Sequence, residues 1–144
     1  EGLKVAAHYG CHLLKPSKVM QVDDPDDPSV LDDLLACLGV DVVKHHDRLL
    51  CCGRACQECG IPDEMLGDLL DSAPQVEADC LGVICPSCFD EFDMGQIQLA
   101  RRTDRESLLP AVYYFQLLAL AQGDDPKDVG LDRHRIKPEA ILRS

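Results

Sequence analysis

The order of apolar and polar positions along the chain predicts alternating strands and helices. Three short apolar runs predict buried strands, over residues 3–8, 40–44 and 81–84. Apolar residues recur at helical spacing between and after these runs, which predicts helices over residues 29–38, 63–70, 86–102 and 110–122. Such alternation is typical of an α/β fold, here a small open parallel (Rossmann-like) sheet flanked by helices.

The first predicted helix shows how the pattern is divided between two faces. Its apolar face is predicted to comprise Val30, Leu31, Leu34, Leu35 and Leu38. Asp32 and Asp33 fall on the opposite face, and Gly39 is expected to end the helix. Cys37 lies in the same apolar segment and is predicted to be a small core residue. After Gly123 the chain is polar and is predicted to wrap the surface.

Length and charge narrow the classes of function. The chain has 144 residues, the length of one domain. Its net charge of −12 argues against binding to nucleic acid or to an anionic membrane, because like charges repel. No run of about 18 apolar residues is present, so no membrane span is predicted. The acidic run at residues 23–27 is predicted to be an exposed loop, with docking to a basic partner as the alternative.

The cysteines occur at informative positions in the predicted sheet. The chain has nine, an odd number without a secretory signal, which favours metal ligation in a reducing cytosol over a disulfide framework. Cys11 follows the first predicted strand and Cys85 follows the third. The adjacent pair Cys51 and Cys52 follows the second, and Cys88 lies one helical turn after Cys85. Because the carboxyl ends of parallel strands share one edge of a sheet, these five thiols are predicted to converge there.

The chemistry of such a site depends on thiolates. Cys85 and Cys88 lie near the start of a predicted helix, whose dipole favours thiolates and is expected to lower their pKa. Gly53 permits a turn in which Cys51 and Cys52 can point the same way. Five thiols exceed the four that tetrahedral zinc or one cubane iron–sulfur cluster requires. The site would therefore hold an unusual cluster, or a cluster with one cysteine free to react.

This cysteine spacing resembles the CCG cysteine-rich domain that occurs in pairs in the B-type subunit of heterodisulfide reductases. The resemblance rests on the Cys51-Cys52-Gly53 motif, on the Cys-x-x-Cys pair that starts at Cys85, and on residues 8–16 around Cys11. Residues 116–135 are also similar to the end of that subunit. The chain departs from the family in a slightly shorter interval after Cys52, which contains two additional cysteines.

The resemblance covers nearly the whole chain, so residues 1–144 are expected to form a single CCG domain. The chain also opens in a strand-like run without a starting Met. It is therefore expected to be the C-terminal half of a longer subunit. In that case the second CCG domain of the pair lies on the N-terminal side.

The resemblance also implies a cofactor and a reaction. The family's ligand positions correspond here to Cys11, Cys51, Cys52, Cys85 and Cys88, which would bind a noncubane [4Fe-4S] cluster. A second cluster, in the N-terminal CCG domain of the same subunit, would lie across a small-molecule or protein disulfide, and each cluster would supply one electron. Further partners would be iron–sulfur or flavin subunits in the cytoplasm. The isolated fragment is then expected to be inactive, because it holds only one of the two clusters.

Two other functions remain open from the sequence. Four of the five thiols could close a structural zinc site in an interaction domain, in which no electron moves. Alternatively, the domain could transfer electrons to a quinone or a membrane partner rather than to a disulfide. The five-thiol count and the position at the sheet edge favour the redox interpretation over zinc.

The remaining cysteines and the histidines have interpretations of their own. Cys80 is predicted to be a core residue, whereas Cys56 and Cys59 are either structural or auxiliary metal ligands. His45 and His46 are predicted to be surface residues at the end of a strand. His12 adjoins Cys11 and could donate a proton to a thiolate product, or it could have a simple structural role. Alternative proton donors nearby are His8 and Lys15.

Overall fold

The fold is built on a four-stranded parallel sheet. The computed structural model describes residues 2–59 and 61–143, except for the side chains of Gln57, Cys59 and Pro62. The strands are β1 (Lys4–Ala7), β2 (Asp41–Val43), β3 (Cys80–Val83) and β4 (Ala111–Tyr113). They lie in the order β2-β1-β3-β4, and every neighbouring pair is parallel. The predicted α/β class and the parallel sheet are therefore confirmed.

Helices connect the strands and cover the sheet. They are α1 (Cys11–Leu14), α2 (Ser17–Met20), α3 (Val30–Ala36), α4 (Pro62–Ser72), α5 (Pro86–Asp90), α6 (Gln96–Arg102), α7 (Tyr114–Ala121) and α8 (Glu139–Leu142). A π-helical turn at Glu91–Gly95 joins α5 to α6, so the predicted helix over residues 86–102 forms with this one irregularity. Shorter 3-10 turns lie at Arg54–Cys59, Pro74–Val76 and Leu131–Arg133. In the described part of the chain, no helix is long and apolar enough to cross a membrane.

Alternation along the strands places a hydrophobic layer on each face of the sheet. In β1, Val5 and Ala7 pack into one layer and Ala6 into the other. Gly82 in β3 is required by close packing, because a Cβ atom there would lie 2.8 Å from Cγ1 of Val5 and 3.2 Å from Cδ1 of Leu35. The sheet and α3 thus approach each other more closely than any larger residue would allow.

The prediction of a helix over residues 110–122 was wrong at its start. Ala111–Tyr113 is the edge strand β4, and α7 begins only at Tyr114. The backbone N–H of Leu81 donates to the carbonyl of Pro110, which brings this segment into register with β3. A three-residue strand followed directly by an apolar helix leaves no polar boundary, so the pattern of the two together is that of one helix.

The helix predicted over residues 29–38 is shorter, and its buried side is narrower than expected. Leu31 and Leu35 are buried, but Leu34 is largely exposed. The interpretation of Cys37 as a core residue was wrong, because Cys37 lies just after the last residue of α3 and is exposed. Asp32, assigned to the outer face, is instead buried in an ion pair described below.

The tail after Gly123 contributes to the core rather than only following the surface. Its side chains at Leu131, Ile136 and Ile141 are buried. The carboxylate of Asp93, in the π-helical turn, accepts hydrogen bonds from the backbone N–H groups of Arg135 and Ile136. The backbone at residues 135 and 136 is therefore held against the segment that directly follows the helix of Cys88, while Leu131 and Ile141 pack against the sheet.

Candidate cysteine-rich site

The carboxyl ends of β1, β2 and β3 lead into one cavity of about 260 Å³. The five predicted cysteines all line it: Cys11, Cys51, Cys52, Cys85 and Cys88. The remaining lining residues are His12, Arg54, Ala55 and Ser87. The structure thus brings together, at one edge of the sheet, every cysteine that the sequence singled out for the site.

Two glycines shape the approach to the cavity. Gly10 has a φ of 73° and turns the chain from β1 into α1, which starts at Cys11. A Cβ atom on Gly10 would lie 3.3 Å from Cβ of Cys85 and 3.5 Å from Sγ of Cys88, so the two loops pass close together here. Gly53 has a φ of 91°, and its N–H donates to Sγ of Cys51 at 3.4 Å. Both positions favour glycine because other side chains rarely adopt a positive φ.

The thiols contact one another within the cavity. Sγ of Cys11 lies 3.9 Å from Sγ of Cys51. A hydrogen bond between the thiols of Cys52 and Cys88 lowers the pKa of Cys52 to about 7 and raises that of Cys88. Burial, followed by the charge of Cys51, raises the pKa of Cys11 to about 11. In the metal-free site Cys52 is therefore the more acidic thiol of this pair, and Cys88 keeps its proton.

The expected effect of the helix on Cys88 was wrong in direction. Cys85 precedes α5 and Cys88 lies in its first turn, so both thiols are near the helix start as predicted. The pKa of Cys88 is nevertheless raised, first by its hydrogen bond to Cys52 and then by its burial. The helix therefore does not by itself activate this thiol.

The rim of the cavity carries charged and titratable side chains that the sequence pattern only partly indicates. His12 is exposed at the mouth, as expected of a residue beside Cys11. Arg54 was not predicted, although it directly follows the Cys-Cys-Gly motif. Its guanidinium lies 2.7 Å from a carboxylate oxygen of Asp90 and 3.6 Å from one of Glu91. Glu91 is buried, and its charge opposes ionisation of Cys52 by raising the pKa of that thiol.

Two histidines that follow β1 and β2 are buried. The interpretation of His45 as a surface residue was wrong, because its ring is buried and its Nδ1 lies 2.9 Å from the hydroxyl of Ser72. His46 is exposed as predicted. His8 is buried at the end of β1, and Lys15 is exposed. The side chain of a polar residue at the end of a buried strand can point into the core or into solvent. Its burial therefore cannot be predicted from the residue next to it in sequence.

The other cysteines whose side chains the structure describes do not line the cavity. Cys80 is buried at the start of β3, which confirms its prediction as a core residue. Cys56 is half-buried in the 3-10 turn that follows Gly53, next to the lining residue Ala55. The side chain of Cys59 lies outside the described residues, so both interpretations of this pair stay open.

The donor set fits a cluster better than a single ion. Among the described side chains, no three Cys, His, Asp or Glu residues are placed to hold one metal ion. Instead, five sulfur atoms surround a common space, with a carboxylate only at its buried margin. Thiolates are the ligands of iron–sulfur clusters, whose several iron atoms spread the ligands around a larger volume than one ion does.

Comparisons with known proteins agree with this arrangement. Residues 5–93 match the family model of CCG, described as a cysteine-rich domain. The chain is 37% identical over 139 residues to the B subunit of the ferredoxin:CoB-CoM heterodisulfide reductase of Methanosarcina mazei, an alignment that covers 94% of the chain and 46% of that protein.

Two further relatives carry related names. Identity is 31% over 139 residues to the 8-methylmenaquinol:fumarate reductase membrane anchor subunit of Wolinella succinogenes, covering 93% of the chain and 48% of that protein. It is 28% over 135 residues to a protein of Archaeoglobus profundus named as similar to the heterodisulfide reductase B subunit, covering 90% and 45%. The chain thus spans about half the length of the curated relatives it matches.

Proposed function

We propose that this chain, which belongs to the CCG family of cysteine-rich domains, holds a noncubane [4Fe-4S] cluster and works in a B-type subunit of a heterodisulfide reductase-like complex. The observation that carries the proposal is the single cavity lined by five thiols at the carboxyl edge of the sheet. Its proposed ligands are Cys11, Cys51, Cys52, Cys85 and Cys88. When bound, such a cluster supplies electrons one at a time.

The protein groups around the cavity have distinct proposed roles in disulfide reduction. The open mouth beside His12 admits the substrate, and the imidazole donates a proton to a departing thiolate. Arg54 offsets the charge of Glu91, which otherwise opposes ionisation of Cys52. The Gly10 and Gly53 turns hold the thiols of three loops at fixed positions. Reduction of a disulfide needs two electrons and two protons, so one such site supplies half of the electrons.

The other electron, and the delivery of electrons to the site, are assigned to partners. Relatives about twice as long carry names of reductase subunits, which supports a further domain in the same subunit. We propose that it is a second CCG domain on the N-terminal side. Iron–sulfur or flavin subunits would deliver the electrons, and the disulfide would be a small molecule or a protein. A cytoplasmic location follows from these partners and from the reduced state that the thiols require.

One relative supports a second candidate, in which the domain exchanges electrons with a quinone-linked membrane partner. The Wolinella succinogenes relative is named a membrane anchor subunit of an 8-methylmenaquinol:fumarate reductase. The same five thiols would serve in that role, because only the electron acceptor differs. The structural zinc alternative has less support, since the cavity is lined by five thiols and a tetrahedral zinc site uses four ligands.

Anaerobic reconstitution with iron and sulfide tests the proposal. The expected product is a brown protein with about four iron atoms and a paramagnetic signal in one redox state. A parallel sample with zinc alone is the control. Stoichiometric zinc binding with no stable uptake of iron and sulfide would instead establish the zinc alternative. Turnover of a heterodisulfide with a reduced viologen dye then separates the disulfide role from the quinone role, using the subunit with both halves.

A further inference from the structure

Two of the proposed ligands lie on loops that follow different strands. These are the Cys11 loop (residues 8–11, after β1) and the Cys51 loop (residues 44–53, after β2). Sγ of Cys11 is 3.9 Å from Sγ of Cys51, so a small movement of either loop changes the relation between the two thiols. The backbone joins the loops where the N–H of Tyr9 donates to the carbonyl of Arg48 at 3.4 Å. This bond is long, so the side chains of the same two residues contribute to how firmly the loops are joined.

The side chain of Arg48 packs on the ring of Tyr9. Its guanidinium carbon lies 5.5 Å from the centre of the ring, within the range of a cation–π interaction. Arg48 is only 7% exposed and Tyr9 only 1%, and removal from water strengthens a contact of this kind. The two loops are therefore joined by side chains as well as by backbone, shortly before each thiol.

The guanidinium of Arg48 also binds a third segment. It donates from Nη1 to Oδ2 of Asp32 in α3 at 2.7 Å, and from Nη2 to Oδ1 of Asp27 at 2.8 Å and to the carbonyl of Pro28 at 3.2 Å. The backbone N–H of Asp32 donates to the hydroxyl of Tyr9 at 3.1 Å. Tyr9, Arg48 and Asp32 thus form a closed network in which each residue contacts the other two.

The segment that receives the guanidinium is itself held in place. The carboxylate of Asp23 accepts hydrogen bonds from the N–H groups of Ser29 and Val30 at 2.8 and 2.7 Å, which fixes the loop before α3 to the start of the helix. Leu35 of α3 is fully buried and contacts the sheet at Gly82. The start of α3 therefore gives the guanidinium of Arg48 a fixed reference.

The geometry of the network is more specific than its stabilising effect. Loss of hydration offsets much of the attraction in a buried ion pair, so such a pair is weak evidence for stability. A guanidinium is planar and holds its N–H donors in a fixed fork, which determines where its partners must lie. Tyr9, Arg48 and Asp32 are all described by the structure, and none of them lines the thiol cavity. Arg48 therefore acts on the site through the loops and does not touch a substrate.

We propose that Arg48 is a positioning residue, which holds the Cys11 loop and the Cys51 loop at the separation that the cluster requires. The proposal rests on the proposed function, because it assigns both thiols to one cluster. The placement of the two thiols is nevertheless a property of the metal-free chain, and it can be measured without iron.

Thiol–disulfide exchange in the metal-free full chain tests the placement. Glutathione disulfide converts the thiols of Cys11 and Cys51 into one disulfide and is itself reduced to two molecules of glutathione. The ratio of disulfide to dithiol at a fixed glutathione ratio and constant pH, read by peptide mass spectrometry, reports how well the two thiols are placed. Arg48→Met keeps most of the side-chain volume and is expected to lower this ratio about tenfold or more. Arg48→Lys keeps the charge and should recover part of the loss.

Two further variants provide the control and cover poor folding of Arg48→Met. Arg105→Met removes another partly buried guanidinium, which pairs with Asp71, and should leave the ratio unchanged. Asp27→Asn removes only an exposed carboxylate of the network, so the fold should persist. It is expected to lower the ratio about twofold to threefold, as for an exposed ion pair.

An internal reference separates positioning from a general loosening of the fold. It is the disulfide that Cys88 forms with Cys52 or Cys85, which should keep its wild-type ratio because the side chain of Cys88 packs in the other hydrophobic layer from Tyr9. Wild-type ratios for the first pair in both Arg48→Met and Asp27→Asn would overturn the proposal, as would a parallel fall of the reference. Uptake of iron and sulfide is measured separately, so its failure would contradict the proposed function and leave this result standing.

Discussion

The two edges of the sheet are built alike but differ in chemistry. At the amino edge, a cavity of about 580 Å³ is lined by residues that include Leu3, Lys4, Glu77 and Leu117. At the carboxyl edge, a cavity of about 260 Å³ is lined by five cysteines. Each edge has its own ion pair, Lys4 with Glu77 at one and Arg54 with Glu91 at the other. Among the described residues, the larger cavity at the amino edge has no set of converging thiols, whereas the smaller cavity at the carboxyl edge has five.

The difference shows that donor chemistry, rather than volume, identifies the site. The loops at the carboxyl edge bring thiols from three strands to one place, as expected for ligand sites in open α/β sheets. At the amino edge Cys80 lies at the start of β3, where burial raises its pKa to about 12. The same residue type is therefore a candidate ligand at one edge and a core side chain at the other.

Removal of a thiol from the carboxyl edge is expected to have the largest effect. Cys52→Ala or Cys85→Ala is expected to abolish iron uptake after reconstitution, because each removes a proposed cluster ligand. Iron and sulfide analysis with visible spectroscopy provides the measurement. Cys37→Ala is the matched control and should bind iron like the wild type, since Cys37 is exposed and away from the cavity. Full iron content in Cys52→Ala would contradict the ligand assignment.

The buried histidines behind the carboxyl edge should make the metal-free protein sensitive to acid. Burial lowers the pKa of His8 from 6.5 to about 3 and that of His45 to about 4. The unfolded chain takes up these protons near pH 6.5, whereas the folded chain does not. Stability is therefore complete above pH 6.5 and is lost as the pH falls below it, by about 1.4 kcal/mol per pH unit for each group.

Urea unfolding at pH 7, 6 and 5 checks this dependence. His8→Phe should lose a substantial part of the slope between pH 6.5 and 5, since one buried titrating group is gone. His46→Gln is the control for an exposed histidine and should keep the wild-type slope. An unchanged slope in His8→Phe would mean that other groups control the acid response.

The sequence predicts an element of this fold where the order of apolar and polar residues determines it. It does not do so where tertiary packing determines the structure. Three of the strands and the convergence of the five thiols follow from apolar runs and from the rule for parallel sheets. Strand β4 has only three residues and no polar boundary before α7, so its pattern is that of the helix. Pattern therefore suffices where an element is bounded by polar residues or glycine, and fails where two elements are fused.

The side chains that were misjudged depend on partners distant in sequence. Asp32 is buried because Arg48 lies 2.7 Å away, and His45 because Ser72 accompanies it into the interior. Arg54 reaches the cavity through carboxylates at the end of α5 and in the turn after it, which no local pattern reveals. Polar burial of this kind becomes predictable only once the tertiary pairing is known.

Replacing a cysteine at the amino edge is expected to have a moderate effect, which is confined to stability. Cys80→Ala is expected to leave iron content unchanged and to reduce the free energy of unfolding by about 1–2 kcal/mol, because a small buried side chain is truncated. The raised pKa of Cys80 also predicts that the wild type loses stability as the pH rises above 9, toward 12. Denaturant unfolding at pH 7 and pH 10, with iron analysis, measures both. Loss of the cluster in Cys80→Ala would show that this cysteine is more than a packing residue.

The smallest expected effect concerns the ion pairs at the two edges of the sheet, of which only the pair at the carboxyl edge should influence the pKa of Cys52. Arg54→Gln leaves Glu91 without this cation, so the carboxylate should raise the pKa of Cys52 from about 7 towards the ordinary value of 9. Because the Arg54 side chain is 42% exposed, stability should change by no more than about 1 kcal/mol. The measurement is the pH profile of Cys52 alkylation in the metal-free protein, read by peptide mass spectrometry, whose midpoint should move to higher pH. Glu77→Gln breaks the exposed pair at the amino edge and should leave both this profile and the iron content unchanged. An equal shift in both variants would mean that the midpoint reports the net charge of the chain, and that Arg54 has no specific effect on the thiol site.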